Sequence, residues 1–159
     1  MISPVDLVTE RLRLRPATRA DLPALERTWT DEQVRRHLGG PLAPELVRTY
    51  REKWRPTGEE IAVELPGGAV VGFFFFDRRG EDAELSYLFL PEHWGLGYAR
   101  EAAAALLAWF PGAHPGRRLV AVTQAANTAS VALLAAVGMV KAEEFVEHGA
   151  DQYLYVLHG

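Results

Sequence analysis

Between residues 60 and 90 the chain carries three apolar runs separated only by turn-length breaks, and this spacing restricts the topology more than any other feature. Residues 60–65 are followed by Pro66-Gly67-Gly68, residues 69–76 by Asp77-Arg78-Arg79-Gly80, and residues 83–90 by Pro91. Runs rich in Val, Ile and Phe between Gly- and Pro-containing breaks predict strands and tight turns. Breaks this short join antiparallel neighbours, because a parallel crossover needs about a dozen residues or more. The run Phe73-Phe74-Phe75-Phe76 has no polar alternation and predicts a strand buried on both faces.

The flanks are mixed. Leu12 and Leu14 alternate with Arg11, Arg13 and Arg15, the period of a strand with a solvated arginine face. Thr18 and Asp21 have capping-box spacing ahead of a helix carrying Leu22, Leu25 and Trp29. A second helical stretch is expected over residues 31–38, stopping at Gly39-Gly40, and a third from Pro44 with Leu46, Val47, Tyr50 and Trp54 on its apolar stripe. Beyond the meander the chain alternates: an alanine-rich helix over 98–110, a strand over 119–123, a helix over 127–137 between Asn127 and Gly138, and strands over 139–146 and 152–157. Strands and helices in this order predict a mixed α/β (α+β) domain around one central, mostly antiparallel sheet. With 159 residues, no repeat and no long linker, residues 1–159 are expected to form one domain.

Composition removes several function classes. There are no cysteines, so disulfides, thiolate nucleophiles and cysteine metal sites are absent. The five histidines lack ligand spacing, and no metal is expected. A net charge of −4 offers no electrostatic footprint for nucleic acid. No run approaches the ~20 apolar residues of a membrane span, and the N-terminus has no signal-peptide pattern, so a cytoplasmic location is expected.

The chemistry-bearing stretch is L-S-Y-L-F-L-P-E-H-W-G-L-G-Y-A-R-E-A, residues 85–102. A strand ends at Pro91, a glycine loop follows, and a helix starts near Tyr98. Gly95 and Gly97 allow close backbone approach, and the first amides of a helix have no intrahelical partners. Together they form a site suited to a diphosphate. It is not a P-loop, since no lysine follows the loop, and it is not a G-x-G-x-x-G dinucleotide fingerprint, since Arg100 occupies the third position.

Trp94-Gly95-Leu96-Gly97-Tyr98-Ala99 resembles the [Q/R]-x-x-G-x-[G/A] acyl-CoA motif of GNAT acetyltransferases, with Trp94 where Gln or Arg is usual. The string P-E-H-W-G-L-G-Y-A-R-E-A is similar to the RimJ/RimL-like branch, which acetylates protein N-termini and small amines. The opening T-E-R-L-R-L-R-P and the segment Asn127-x-x-Ser130-x-x-Leu133-x-x-x-x-Gly138-Met139 resemble two further blocks of that branch, with Met139 replacing Phe.

The resemblance implies a sheet splayed at a cofactor site, acetyl-CoA as donor, and direct acetyl transfer to a primary amine. It places pantetheine on the backbone edge from Tyr87 to Leu90, with Leu88, Phe89 and Leu90 as the binding residues. The pyrophosphate falls on the loop and helix start at Trp94, Gly95, Leu96, Gly97, Tyr98, Ala99 and Arg100, and Asn127 hydrogen-bonds nearby. The tyrosine that many relatives use to protonate the thiolate would fall at Leu134, so Ser130 takes its place as candidate. Glu84, in strand register with Leu88 and Leu90, is the first candidate base, ahead of His148 and Tyr155 on the last hairpin and of deprotonation through ordered water. The acceptor stays open among a protein N-terminal amine, an aminoglycoside, a polyamine and an amino-acid metabolite, and a homodimer is a family expectation. Two other readings use the same residues: a non-catalytic acyl-CoA-binding or regulatory module, and a nucleotide-binding domain holding another phosphate on Gly95 and Gly97.

Overall fold

The computed structural model describes residues 2–158. Eight strands form one sheet in the order β1-β2-β3-β4-β5-β6-β8-β7. They are β1 (Leu7–Val8), β2 (Arg13–Pro16), β3 (Glu60–Glu64), β4 (Val70–Arg79), β5 (Asp82–Phe89), β6 (Leu119–Gln124), β7 (Val140–Glu147) and β8 (Ala150–Val156). Four helices accompany them: α1 (Leu22–Thr30), α2 (Pro44–Lys53), α3 (Tyr98–Ala113) and α4 (Thr128–Ala136). The expected meander is present as β3-β4-β5, and every pairing among the described residues is antiparallel except β5 with β6.

The sheet has two dressed faces. On one, Phe74, Phe76, Leu85 and Phe89 pack against Ala102, Ala103, Leu106 and Phe110 of α3 and Leu134 of α4. On the other, Phe73 and Ala62 pack against Ala17 and Leu25, with Trp29, Trp54 and Phe75 partly buried beside them. The four consecutive phenylalanines thus feed both cores in strict alternation, as a strand covered on both sides must. Burying a side chain such as Phe74 or Leu106 completely is worth about 1.5–3 kcal/mol, so these layers carry much of the fold.

Three expectations change. Residues 31–38 form successive turns rather than a helix. The Asp31 carboxylate accepts from the Val34 amide, and the Arg35 guanidinium donates to the carbonyls of Leu38 and Gly40. Side-chain bonds to the local backbone compete with the helical ladder here, and the apolar stripe is too sparse to favour the helix. The strand expected over residues 11–15 is β2, which begins at Arg13, and Arg11 stands outside it. Arg15 does not belong to a solvated face: its fork reaches both oxygens of buried Asp21 at 2.8 and 3.0 Å and Glu64 at 3.1 Å.

Candidate active site

The parallel pairing is where the sheet comes apart. β5 meets β6 only at Ala83↔Leu119 and Glu84↔Val120. β5 nevertheless stays paired with β4 as far as Phe89↔Gly72, and β6 stays paired with β8 as far as Gln124↔Gln152. Both strands therefore run on past the junction with no partner between them, and the gap opens at their carboxyl ends. Those ends lead into the starts of α3 and α4.

Hydrogen-bond parity shows which backbone groups face the gap. The Leu90 amide donates to Val71 O, so even-numbered residues of β5 face β4. The Ala83 amide donates to Arg118 O, so odd-numbered residues face β6. The main-chain groups of Tyr87 and Phe89 consequently point into the gap, whereas those of Leu88 are turned to β4. Of the edge expected from the sequence, Tyr87 and Phe89 face the gap, whereas Leu88 does not, and the Leu90 amide and carbonyl are taken up by Val71 O and the His93 amide. On the opposite wall the Leu157 amide donates to Leu119 O, which turns Val122 and Gln124 toward the gap.

The glycine loop closes the open end. A 3-10 turn, Pro91–His93, leads from β5 into it, and Glu92 there is bound by the Arg27 fork from α1. The indole N–H of Trp94 donates to Phe89 O at 2.8 Å, one of the gap-facing carbonyls. Gly95 and Gly97 sit at φ 76 and 80, in the left-handed region that favours glycine. Gly97 is the N-cap of α3 and supplies no side-chain cap, so the amides of Tyr98, Ala99 and Arg100 are open to a ligand. Leu96 and Arg100 are exposed, and Tyr98 and Ala99 are half-buried.

At the start of α4, Asn127 caps the helix, its Oδ1 accepting from the Ser130 amide at 3.2 Å. That leaves the carboxamide N–H donors for another partner. The buried Ser130 hydroxyl lies 2.5 Å from the phenolic oxygen of Tyr87. The sequence assigns the Tyr87 phenol no role. The available signal was a buried-side position between Leu85 and Phe89, where a phenol requires a hydrogen-bond partner. Burial raises the Tyr87 phenol above its ordinary value of 10.0, the bond to Ser130 working against that shift. Leu134 is packed in the core, as its apolar character requires.

Glu84 sits at the closed end of the gap, on the sheet face opposite Tyr87. Its Oε1 accepts from Arg79 at 3.1 Å, and the same guanidinium reaches Glu147 at 3.2 Å and lies over the Phe145 ring. Ser130, through its bond to Tyr87, and Glu84 therefore stand on opposite faces of the sheet. No group of three or more metal-ligating side chains is clustered among the described residues. No described helix is long and apolar enough to cross a membrane.

These features fit an extended thioester ending in a diphosphate. The gap offers strand-like backbone donors and acceptors, and an added Cβ at Gly95 would meet nothing within 4 Å, so its surface is open. The family model for the acetyltransferase (GNAT) domain matches residues 11–140. The chain is 29% identical over 167 residues to the uncharacterized N-acetyltransferase YoaA of Bacillus subtilis (strain 168), covering 94% of this chain and 88% of that one. It superposes on a GNAT-family acetyltransferase from Bacillus anthracis with a TM-score of 0.83 at 27% identity, covering 96% and 98% of the two chains. At 18% identity it also shares the fold of spermidine N-acetyltransferase from Vibrio cholerae, solved with CoA and spermine, with a TM-score of 0.75 and 94% and 96% coverage. From its sheet, its glycine loop and the match over most of its length, the chain belongs to the GNAT family of acetyltransferases, whose acetyl donor is acetyl-CoA.

Proposed function

We propose that this chain, acting as one domain, transfers an acetyl group directly from acetyl-CoA to a primary amine, as a member of the RimJ/RimL-like branch. The observation that carries this reading is the gap beyond Glu84 and Val120, lined by the main chains of Tyr87 and Phe89 and closed by the glycine loop. Acetyl-CoA supplies the activated acetyl thioester; the protein supplies position, electrostatics and proton control.

The Tyr87 and Phe89 main chains take the place of a missing strand partner for the pantetheine arm. An amide directed into the gap also stabilises charge developing on the acetyl oxygen, which is a large catalytic contribution where water is excluded. The amides from Gly95 to Arg100 hold the diphosphate, with the α3 macrodipole favouring its charge. The Arg100 guanidinium is free to add a phosphate contact. The spare Asn127 carboxamide N–H groups donate to the pantetheine amides. The Ser130 hydroxyl donates to the departing sulfur.

On the acceptor side, Glu84 receives the amine proton, directly or through water, with Arg79 fixing the carboxylate in place. A small amine or a protein N-terminus is the acceptor class, reached from the face bearing α1 and α2. The V. cholerae protein's complex with spermine favours neither over the other at 18% identity. The branch also supports a cytoplasmic location and a homodimer.

Thiol release from acetyl-CoA, followed over a panel of N-terminal peptides, aminoglycosides, polyamines and amino acids, tests the proposal. Turnover with one amine class, abolished by N-methylation to the quaternary ammonium, is the expected result. Tight acetyl-CoA binding with no turnover across the panel favours instead a non-catalytic acyl-CoA-binding module.

A further inference from the structure

Arg11 precedes the glycine loop by more than eighty residues in sequence, yet its side chain touches most of it. Its Nη1 donates to Leu96 O at 2.8 Å. Its Nη2 lies 3.3 Å from the position a Cβ at Gly97 would take. The guanidinium carbon stands 4.6 Å from the centre of the Tyr98 ring. Its Nε donates to Glu101 Oε1 at 2.7 Å, in the first turn of α3. Glu101 in turn is fastened from behind, because its Oε2 accepts from the Thr9 hydroxyl at 2.5 Å and the Arg11 amide at 2.9 Å.

Peptide planarity gives this contact a consequence. The C=O of Leu96 and the N–H of Gly97 belong to one trans peptide unit and point in opposite directions. Drawing the Leu96 oxygen toward Arg11 therefore aims the Gly97 N–H away from it, on the side opposite the arginine. A loop with glycines at 95 and 97 has large backbone freedom of its own, and fixing it costs entropy each time a ligand binds. The guanidinium fork removes that freedom beforehand. It does so without adding net charge, since Glu101 neutralises it.

We propose that Arg11, held by Glu101, is a positioning residue that pre-forms the diphosphate-binding loop by fixing the Leu96–Gly97 peptide and the start of α3. This rests on the acetyl-CoA reading above. The guanidinium acts through geometry: a lysine keeps the charge but cannot donate in a planar fork to Leu96 O and Glu101 together.

Calorimetric titration with acetyl-CoA, together with ligand-observed NMR of acetyl-pantetheine, which lacks the diphosphate, tests the assignment on Arg11→Lys and Glu101→Gln. Thermal melts establish that each variant is folded. Both variants should bind acetyl-CoA about tenfold more weakly, the equivalent of one charge-assisted hydrogen bond, with acetyl-pantetheine unaffected. Glu101→Gln is decisive, because it removes a negative charge near the diphosphate; tighter acetyl-CoA binding would mean that Arg11 acts by charge and overturns the proposal. Wild-type affinity in both variants, or equal losses for both ligands, overturns it too. Absence of acetyl-CoA binding to the wild type overturns the donor reading itself and is distinguished by that control.

Discussion

The hydroxyls of Tyr87 on β5 and Ser130 on α4 meet at 2.5 Å, joining a gap-lining strand to the helix that flanks its open end. The phenol carries its proton near neutral pH, and burial moves its pKa further upward. It is therefore able to donate to Ser130 Oγ and turn the serine proton toward a ligand. A lone serine is a weak acid, and this arrangement gives it a fixed direction rather than greater acidity.

Ser130→Ala should lower kcat about 10- to 100-fold, the value of a hydrogen bond to a charged leaving group, with the KM for acetyl-CoA little changed. Tyr87→Phe should show a smaller loss of the same kind. Steady-state kinetics on the best acceptor from the panel checks both. A KM effect without a kcat effect would assign the pair to cofactor binding.

Glu84→Gln should leave acetyl-CoA affinity unchanged and lower kcat/KM for the acceptor by about 100-fold, the lower range for a lost general base. The loss should shrink at alkaline pH, where more of the amine is already neutral. Pre-neutralised amine reacting no faster than the protonated pool would contradict a base at this position. The readout is a pH–rate profile of wild type and variant.

Gly72 on β4 is the close approach that seats the wall of the gap. A Cβ there would lie 2.6 Å from Phe89 Cγ and 2.8 Å from Leu88 O. Gly72→Ala forces the Phe89 ring or the strand to move, and should destabilise the fold by about 1–3 kcal/mol, the usual range for overpacking. Urea denaturation measures it, and acetyl-CoA binding should weaken in parallel because Phe89 borders the gap.

Asp21 gives the fold an acid-sensitive tie. Burial works to raise its carboxyl, but the Arg15 fork and the Thr18 amide outweigh it and hold the group below its ordinary value of 3.8. A folded pKa below the unfolded one means the stabilisation is full above the unfolded value. It is lost as pH falls from about 4 through the folded value. Asp21→Asn should therefore flatten the stability–pH slope in that acid range. At neutral pH it should cost about 2–4 kcal/mol, because Arg15 loses its main buried partner. Denaturant titrations from acid to neutral pH supply the test.

Much of this was legible in the chain. The glycine loop, the Asn127 cap and the meander announce themselves through backbone requirements local to a few residues, which a sequence displays directly. What stayed hidden depends on distant partners. Arg11, read as one more solvated arginine of an alternating strand, reaches the glycine loop more than eighty residues away. Arg15 looks the same in sequence and is half-buried against Asp21 and Glu64. Which strand residues face the gap could not be read either, since parity depends on the register with β4 and on where β6 departs. Residues 31–38 have helix formers, but local side-chain bonds from Asp31 and Arg35 prevail where no apolar stripe rewards a helix.

Isothermal titration with acetyl-CoA, with CoA, ATP and NAD as controls, decides whether the gap and glycine loop hold the acetyl donor. Saturable, selective binding of acetyl-CoA and CoA is expected, lost on Gly97→Trp while the protein stays folded. Folded wild-type protein that binds no acetyl-CoA, or prefers ATP or NAD, would contradict that role.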